Sequence, residues 1–155
     1  MPKTNTTESN DSGIYHFIFE IKKEFEVKVG AAGVFRIPAG FYIYTGTAQR
    51  NLISRINRHI KKDKKCQWHI DYLTTNKNCA FVGAYFTRGV KKIKECRFNM
   101  AVLIGADFYI PRFGNSDCSY CPSHLCGFAD YAGLEKALKT SCLNKCERLD
   151  AGRLH

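Results

Sequence analysis

An α+β fold is predicted by the interleaving of two kinds of segment along the 155-residue chain. Runs rich in aromatic and β-branched residues, Gly13 to Ile21, Gly40 to Thr45 and Ala80 to Thr87, alternate with stretches whose apolar residues recur at helical spacing. The chain has no internal repeat and no long linker, and 45% hydrophobic residues are enough to fill one core. The expected architecture is a small domain with a central antiparallel sheet of about three strands flanked by helices. An extra N-terminal hairpin and a C-terminal loop plus helix complete it.

Each element has its own signal. Residues 1–12 are polar, rich in Thr, Asn and Ser, and are expected to form a flexible leader. Gly13 to Ile21 is apolar on both faces, as a central strand covered on two sides would be. Phe25 to Val29 alternates as a second short strand, Gly30 and Gly33 punctuate a turn, and Gly40 to Thr45 lies between Pro38 and Gly46 as the next strand, giving a meander. After Asn51, which can cap a helix, Leu52, Ile53, Ile56 and Ile60 repeat at helical spacing, ending in Lys61-Lys62-Asp63-Lys64-Lys65. Trp68, Tyr72 and Leu73 are at helical offsets within Cys66 to Thr75. A helix is expected over Glu95 to Ile104, then a loop-rich stretch through Pro111, Gly114 and Pro122, then a helix from Leu134 to Arg148. Residues 13–128 would form the domain proper, with 129–155 packed on it as a helical extension.

The formal charge of +10 favours polyanions as partners, and nucleic acid leads among them. No apolar run approaches the roughly 20 residues of a membrane span, and no secretory core is present, so a cytoplasmic protein is expected. In a reducing compartment eight cysteines are thiols or metal ligands, and Cys66, Cys79 and Cys96 are placed as single buried thiols.

The residues that carry chemistry start with Arg55 and His59, four apart on one helix face at the rim of the core. A guanidinium fork suits a phosphate and an imidazole can exchange a proton, although such pairs also occur on plain solvated helix faces. Cys118, Cys121, His124 and Cys126 are donors suited to zinc, but so short a loop would strain a tetrahedral site. Cys142 and Cys146, four apart on the expected C-terminal helix, are alternative donors or simply thiols facing the core. Structural Zn²⁺ is therefore the less favoured reading of these cysteines.

The order of Gly13-Ile14-Tyr15, Tyr44-Thr45-Gly46, Arg55 with His59, and Glu95 resembles the GIY-YIG nuclease superfamily. Longer strings resemble one branch of it, filed as a domain of unknown function and sometimes fused to endonuclease III-type glycosylases. They are Ala39 to Ala48, Arg55-Ile56-Asn57-Arg58-His59, Trp68 to Leu73, Glu95-Cys96, Phe113 to Cys118, and Ser123-His124-Leu125. The resemblance spans about Gly13 to Phe128. It implies a compact domain around a three-stranded antiparallel sheet and a metal-dependent endonuclease acting on DNA, in repair or on structured or single-stranded substrates. By the same resemblance Tyr15 and Tyr44 would flank the attacking water, Arg55 would hold the scissile phosphate, and His59 would sit where relatives carry His or Tyr. Glu95 would bind one divalent cation, and His69 matches a second histidine that some relatives use. A single carboxylate leaves most coordination to water and phosphate, so Mg²⁺ or Mn²⁺, weakly held without substrate, fits. Thr47 stands where repair-type relatives have a lysine, which leaves the general base open. Ser116, Asp117 and His124 belong to the branch strings and would line the cleft without an assigned role, while Asp71 is a structural ion-pair or capping partner. Two other classes stay in view: a catalytically idle nucleic-acid-binding module and a zinc-stabilised interaction domain.

Overall fold

The structure, a computed structural model, describes residues 11–114, 118–141 and 147–150. Among the described residues eight strands run in chain order: β1 (Gly13–Ile21), β2 (Phe25–Val29), β3 (Gly33–Ile37), β4 (Gly40–Ala48), β5 (Cys79–Arg88), β6 (Phe108–Tyr109), β7 (Leu125–Phe128) and β8 (Glu147–Asp150). The α-helices among the described residues are α1 (Leu52–Ile60), α2 (Asp71–Thr74), α3 (Glu95–Ile104) and α4 (Tyr131–Thr140). The expected α+β class is what forms. Among the described residues no helix is long and apolar enough to cross a membrane.

β1 is central because both of its faces are apolar: every residue but Glu20 is buried, and it pairs antiparallel with β4 on one side and β5 on the other. These three strands are the expected core of the sheet. Among the described residues this sheet has six strands in the order β6-β7-β4-β1-β5-β8, since two short strands from the loop-rich stretch and one from the C-terminal part extend it. The expected meander does not form. β2 and β3 instead make a separate two-stranded hairpin, and β1 pairs directly with β4.

Alternation along β1 divides the core in two. Tyr15, Phe17, Phe19 and Ile21 face Leu52 and Ile56 of α1, Ile70 and Leu73 around α2, and Val29 and Ile37 of the hairpin. Ile18 faces the opposite way, onto Ile43, Val102 of α3, Phe128, and Leu134, Ala137 and Leu138 of α4. The sheet is thus the middle of three layers.

Local details correct other expectations. Asn51 does not cap α1 with its side chain: it sits at φ 58°, in the left-handed region that asparagine tolerates, and its N–H donates to Asp11 Oδ2 at 2.8 Å. The C-terminal helix ends at Thr140, and Glu147–Asp150 pairs with β5 as a strand, so a helix to Arg148 is excluded. Residues 1–10 of the expected leader, and Cys142 and Cys146, lie outside the described residues.

The segment after α1 is pinned by Asp71, whose carboxylate is fully buried. Arg58 Nη1 donates to both of its oxygens at 3.0 and 2.9 Å, and the N–H groups of Gln67 and Trp68 donate to Oδ2 at 2.8 and 2.9 Å. Burial alone would raise this carboxyl, but the Trp68 and Gln67 amides and Arg58 outweigh it and hold it below the usual carboxylate range. Lys64, 3.7 Å away, folds back onto the carbonyls of Arg58 and His59, so part of the basic run is a helix clasp and not a solvated face. The expectation of a structural role for Asp71 agrees with this arrangement.

Candidate functional site

Two glycines explain why the short strings place tyrosines where they do. On β1, a Cβ at Gly13 would lie 1.9 Å from the Thr87 carbonyl oxygen of β5, so only glycine lets the strands approach. On β4, Gly46 is the register partner of Tyr15, and a Cβ there would lie 2.6 Å from Cζ of the Tyr15 ring. The missing side chain is the space the phenol occupies.

That phenol points at α1. Tyr15 Oη is 2.8 Å from His59 Nε2, and the two rings and Tyr44 cluster with centroids 5.5 to 6.5 Å apart. His59 is not at the rim of the core as expected but is 1% exposed, because it continues the apolar stripe of Leu52 and Ile56 by one further turn. Arg55 does sit at the rim: Nη1 donates to the Thr47 carbonyl at 2.9 Å and its guanidinium lies 4.6 Å over the Trp68 ring. Arg58 packs on the same ring, so Trp68 is a platform for both arginines, a role the sequence reading missed although the Trp follows the arginine helix closely.

Tyr15, Tyr44, Thr47, Arg55, His59, His69, Glu95 and His124 all line one open cleft of about 700 Å³. His69 accepts a hydrogen bond from the Gly114 N–H at 3.3 Å through Nδ1. Ser116 and Asp117 fall outside the described residues. Beside the cleft, Thr47, Gln49, Arg50, Arg55 and Lys92 line a smaller basic notch of about 280 Å³.

Burial controls the titration of this group. It raises Tyr15 well above the usual 10, with Tyr44 adding to the effect and Arg55 opposing it. Burial likewise raises Tyr44, helped by Glu95 and opposed by Arg55. His59 is pushed down to about 3 by burial first and then by Lys64. The pair is therefore neutral around pH 7, and the His59 Nδ1 is buried with no hydrogen-bond partner.

Glu95, at the start of α3, is engaged at both oxygens. Oε2 is 2.8 Å from His124 Nδ1, and Oε1 accepts a short hydrogen bond from the Thr47 hydroxyl. His124, just before β7, is 1% exposed, and its Nε2 is buried without a hydrogen-bond partner. Burial works against charging His124, but the Glu95 carboxylate first and the nearby Cys118 sulfur second outweigh it and keep it above its usual value.

Cys118, Cys121 and His124 meet Cys96, the residue after Glu95 on α3, and the four donor atoms lie within 4.8 Å of one another. This cluster could hold a metal ion. Cys96 replaces the expected Cys126, which faces the second core cluster on β7 and whose thiol burial pushes up to about 12. Cys96 is thus not an isolated thiol: its Sγ is 3.0 Å from that of Cys118. The signal for it was its place beside Glu95, but only the packing of α3 against the Cys118 loop reveals the contact. Supplying one donor from a helix removes the crowding that counted against a site built from the loop alone.

A family model described as Domain of unknown function DUF123 matches residues 14–147. No curated protein and no solved structure matches the chain.

Proposed function

The chain belongs to the family described as Domain of unknown function DUF123, and from the cleft we propose that it is a metal-dependent phosphodiesterase that cuts DNA endonucleolytically. One observation carries this reading: two tyrosines, a histidine, an arginine and a carboxylate, which the resemblance to GIY-YIG nucleases singles out, line the same open cleft. The basic notch formed by Arg50, Arg55 and Lys92 would take a neighbouring phosphate, in keeping with the charge of +10.

In this reading Arg55 holds the scissile phosphate and offsets the charge that grows on its oxygens. The attacking water lies against Tyr15. As the water oxygen bonds phosphorus, its proton passes to the Tyr15 oxygen while Tyr15 gives its own to His59 Nε2, and the ester oxygen leaves with the electrons of its bond to phosphorus. The relay is uphill in the free protein because burial holds His59 at about 3, and the anionic phosphate is what favours the imidazolium. Glu95 Oε1, in exchange for the Thr47 hydroxyl, would hold Mg²⁺ or Mn²⁺, which when bound supplies further charge stabilisation at the phosphorus centre.

A second reading has its own support. Both Glu95 oxygens are already engaged and both tyrosines are held neutral, as suits a DNA-docking module without catalysis. The test is incubation with supercoiled plasmid and with single-stranded and branched oligonucleotides, with and without Mg²⁺ or Mn²⁺. Cation-dependent nicking or strand cleavage is expected. Tight DNA binding with no cleavage of any substrate would transfer the assignment to the docking module.

A further inference from the structure

Helix α3 carries two adjacent residues committed to different tasks. Both line the cleft, but Glu95 engages Thr47 and His124 with its carboxylate, while the Cys96 thiol meets the donors of the loop that carries Cys118, Cys121 and His124. We propose that Cys96, Cys118, Cys121 and His124 form a closed structural Zn²⁺ site, and that its histidine ligand fixes the orientation of Glu95.

The donor set argues for zinc: three thiols and an imidazole are borderline-soft ligands, and four protein ligands leave no open position. Zinc–ligand bonds of about 2.0–2.3 Å in a tetrahedron separate the donor atoms by roughly 3.3–3.8 Å. The observed spread, from 3.0 Å between Cys96 and Cys118 to a limit of 4.8 Å, brackets that range, so each donor needs to move less than about 1 Å to meet it. The Cys118–Cys121 turn is shaped for a thiolate, with the Cys121 N–H donating to the Cys118 sulfur at 3.3 Å.

His124 supplies the independent observation. Its Nε2 is buried and without a hydrogen-bond partner, although a buried ring nitrogen normally has one. Metal coordination at Nε2 gives that atom its partner and leaves the proton on Nδ1, where Glu95 Oε2 accepts it at 2.8 Å. A carboxylate behind a metal-bound imidazole fixes the tautomer and strengthens the ligand. The same bond leaves Glu95 Oε1 as the oxygen facing Thr47. The turn also holds Tyr120, 85% exposed, at the mouth of the cleft.

The test is metal content, which does not depend on whether the cleft cuts DNA. Full-length protein dialysed against a weak chelator is expected to retain one Zn²⁺ per chain. Exchange with Co²⁺ should give the visible bands of tetrahedral coordination and thiolate-to-cobalt charge transfer. Cys96→Ser and Cys118→Ser should lose the ion, whereas Cys66→Ser and Cys126→Ala should keep it. Glu95→Gln should keep the site but weaken zinc about 10- to 100-fold in competition with a chromophoric chelator. Because cysteine variants can unfold, the cobalt spectrum of the unsubstituted protein is the deciding measurement: octahedral bands or no charge transfer would overturn the site. So would absence of retained metal, loss of metal in Cys126→Ala, or a native mass showing Cys96 and Cys118 joined as a disulfide.

Discussion

Arg55→Ala is expected to slow phosphodiester cleavage by about 10²- to 10³-fold while the protein stays folded. The magnitude is that of removing one preorganised donor aimed at charge developing on the reacting group. Arg55 is half-buried and rests on a carbonyl of Thr47 and the face of Trp68, so its removal exposes no buried charge and should change stability by about 1 kcal/mol or less. Arg58 remains on Trp68 and keeps the ring in place. Single-turnover cleavage and urea unfolding of the same preparations separate the two effects. Arg55→Lys should recover only part of the rate, because an ammonium cannot form the two parallel hydrogen bonds of a guanidinium. A variant that cuts at the unsubstituted rate would remove Arg55 from the site.

Lowering the pH from 7 to 5 is expected to cost on the order of 4 kcal/mol of folding stability through two buried histidines. His16 is held between Thr45 Oγ1 and Ser141 Oγ at 2.9 and 2.8 Å, and burial pushes it down to about 3. His59, buried against Tyr15, is pushed to about 3 as well. Both folded values lie below the usual 6.5, so above pH 6.5 neither the folded nor the unfolded chain is charged and the stability is fully present. From there down to about 3 the unfolded chain takes up protons that the folded chain refuses, and stability falls across that window. Each histidine contributes about 2 kcal/mol by pH 5. His16→Gln can hydrogen-bond both hydroxyls without titrating, so it should flatten the loss between pH 7 and pH 5 by about half when urea midpoints are compared. An unchanged slope in that variant would show that His16 titrates normally.

What could be read from the residues divides along physical lines. The β1 run declared its central position because its neighbours must cover two apolar faces, and α3 was bounded correctly because its limits are local. The short outer strands β6, β7 and β8 were missed since four or fewer residues carry little periodicity and gain their pairing only from distant partners. The same division holds for the site. Tyr15, Tyr44, Arg55 and Glu95 were placed by their order in short strings, and they line one cleft. The depth of His59 was misjudged because a histidine was counted as polar, although its position extends the apolar stripe of α1. Cys96 and Cys126 exchanged roles for a three-dimensional reason. Two residues beyond His124, β7 turns Cys126 into the core, while α3 brings Cys96 across from a segment more than twenty positions away.

In the proposed activity Tyr15 and Glu95 act on one phosphodiester as parts of one machine, and their double-variant cycle tests that most directly. Single-turnover cleavage of an oligonucleotide would be followed with Mn²⁺ for the unsubstituted protein, Tyr15→Phe, Glu95→Ala and the two combined. The prediction is a large loss in each single variant and little further loss when they are combined, as for groups that work as a unit. Losses that multiply in the double variant, or cleavage in it near the unsubstituted rate, would contradict it.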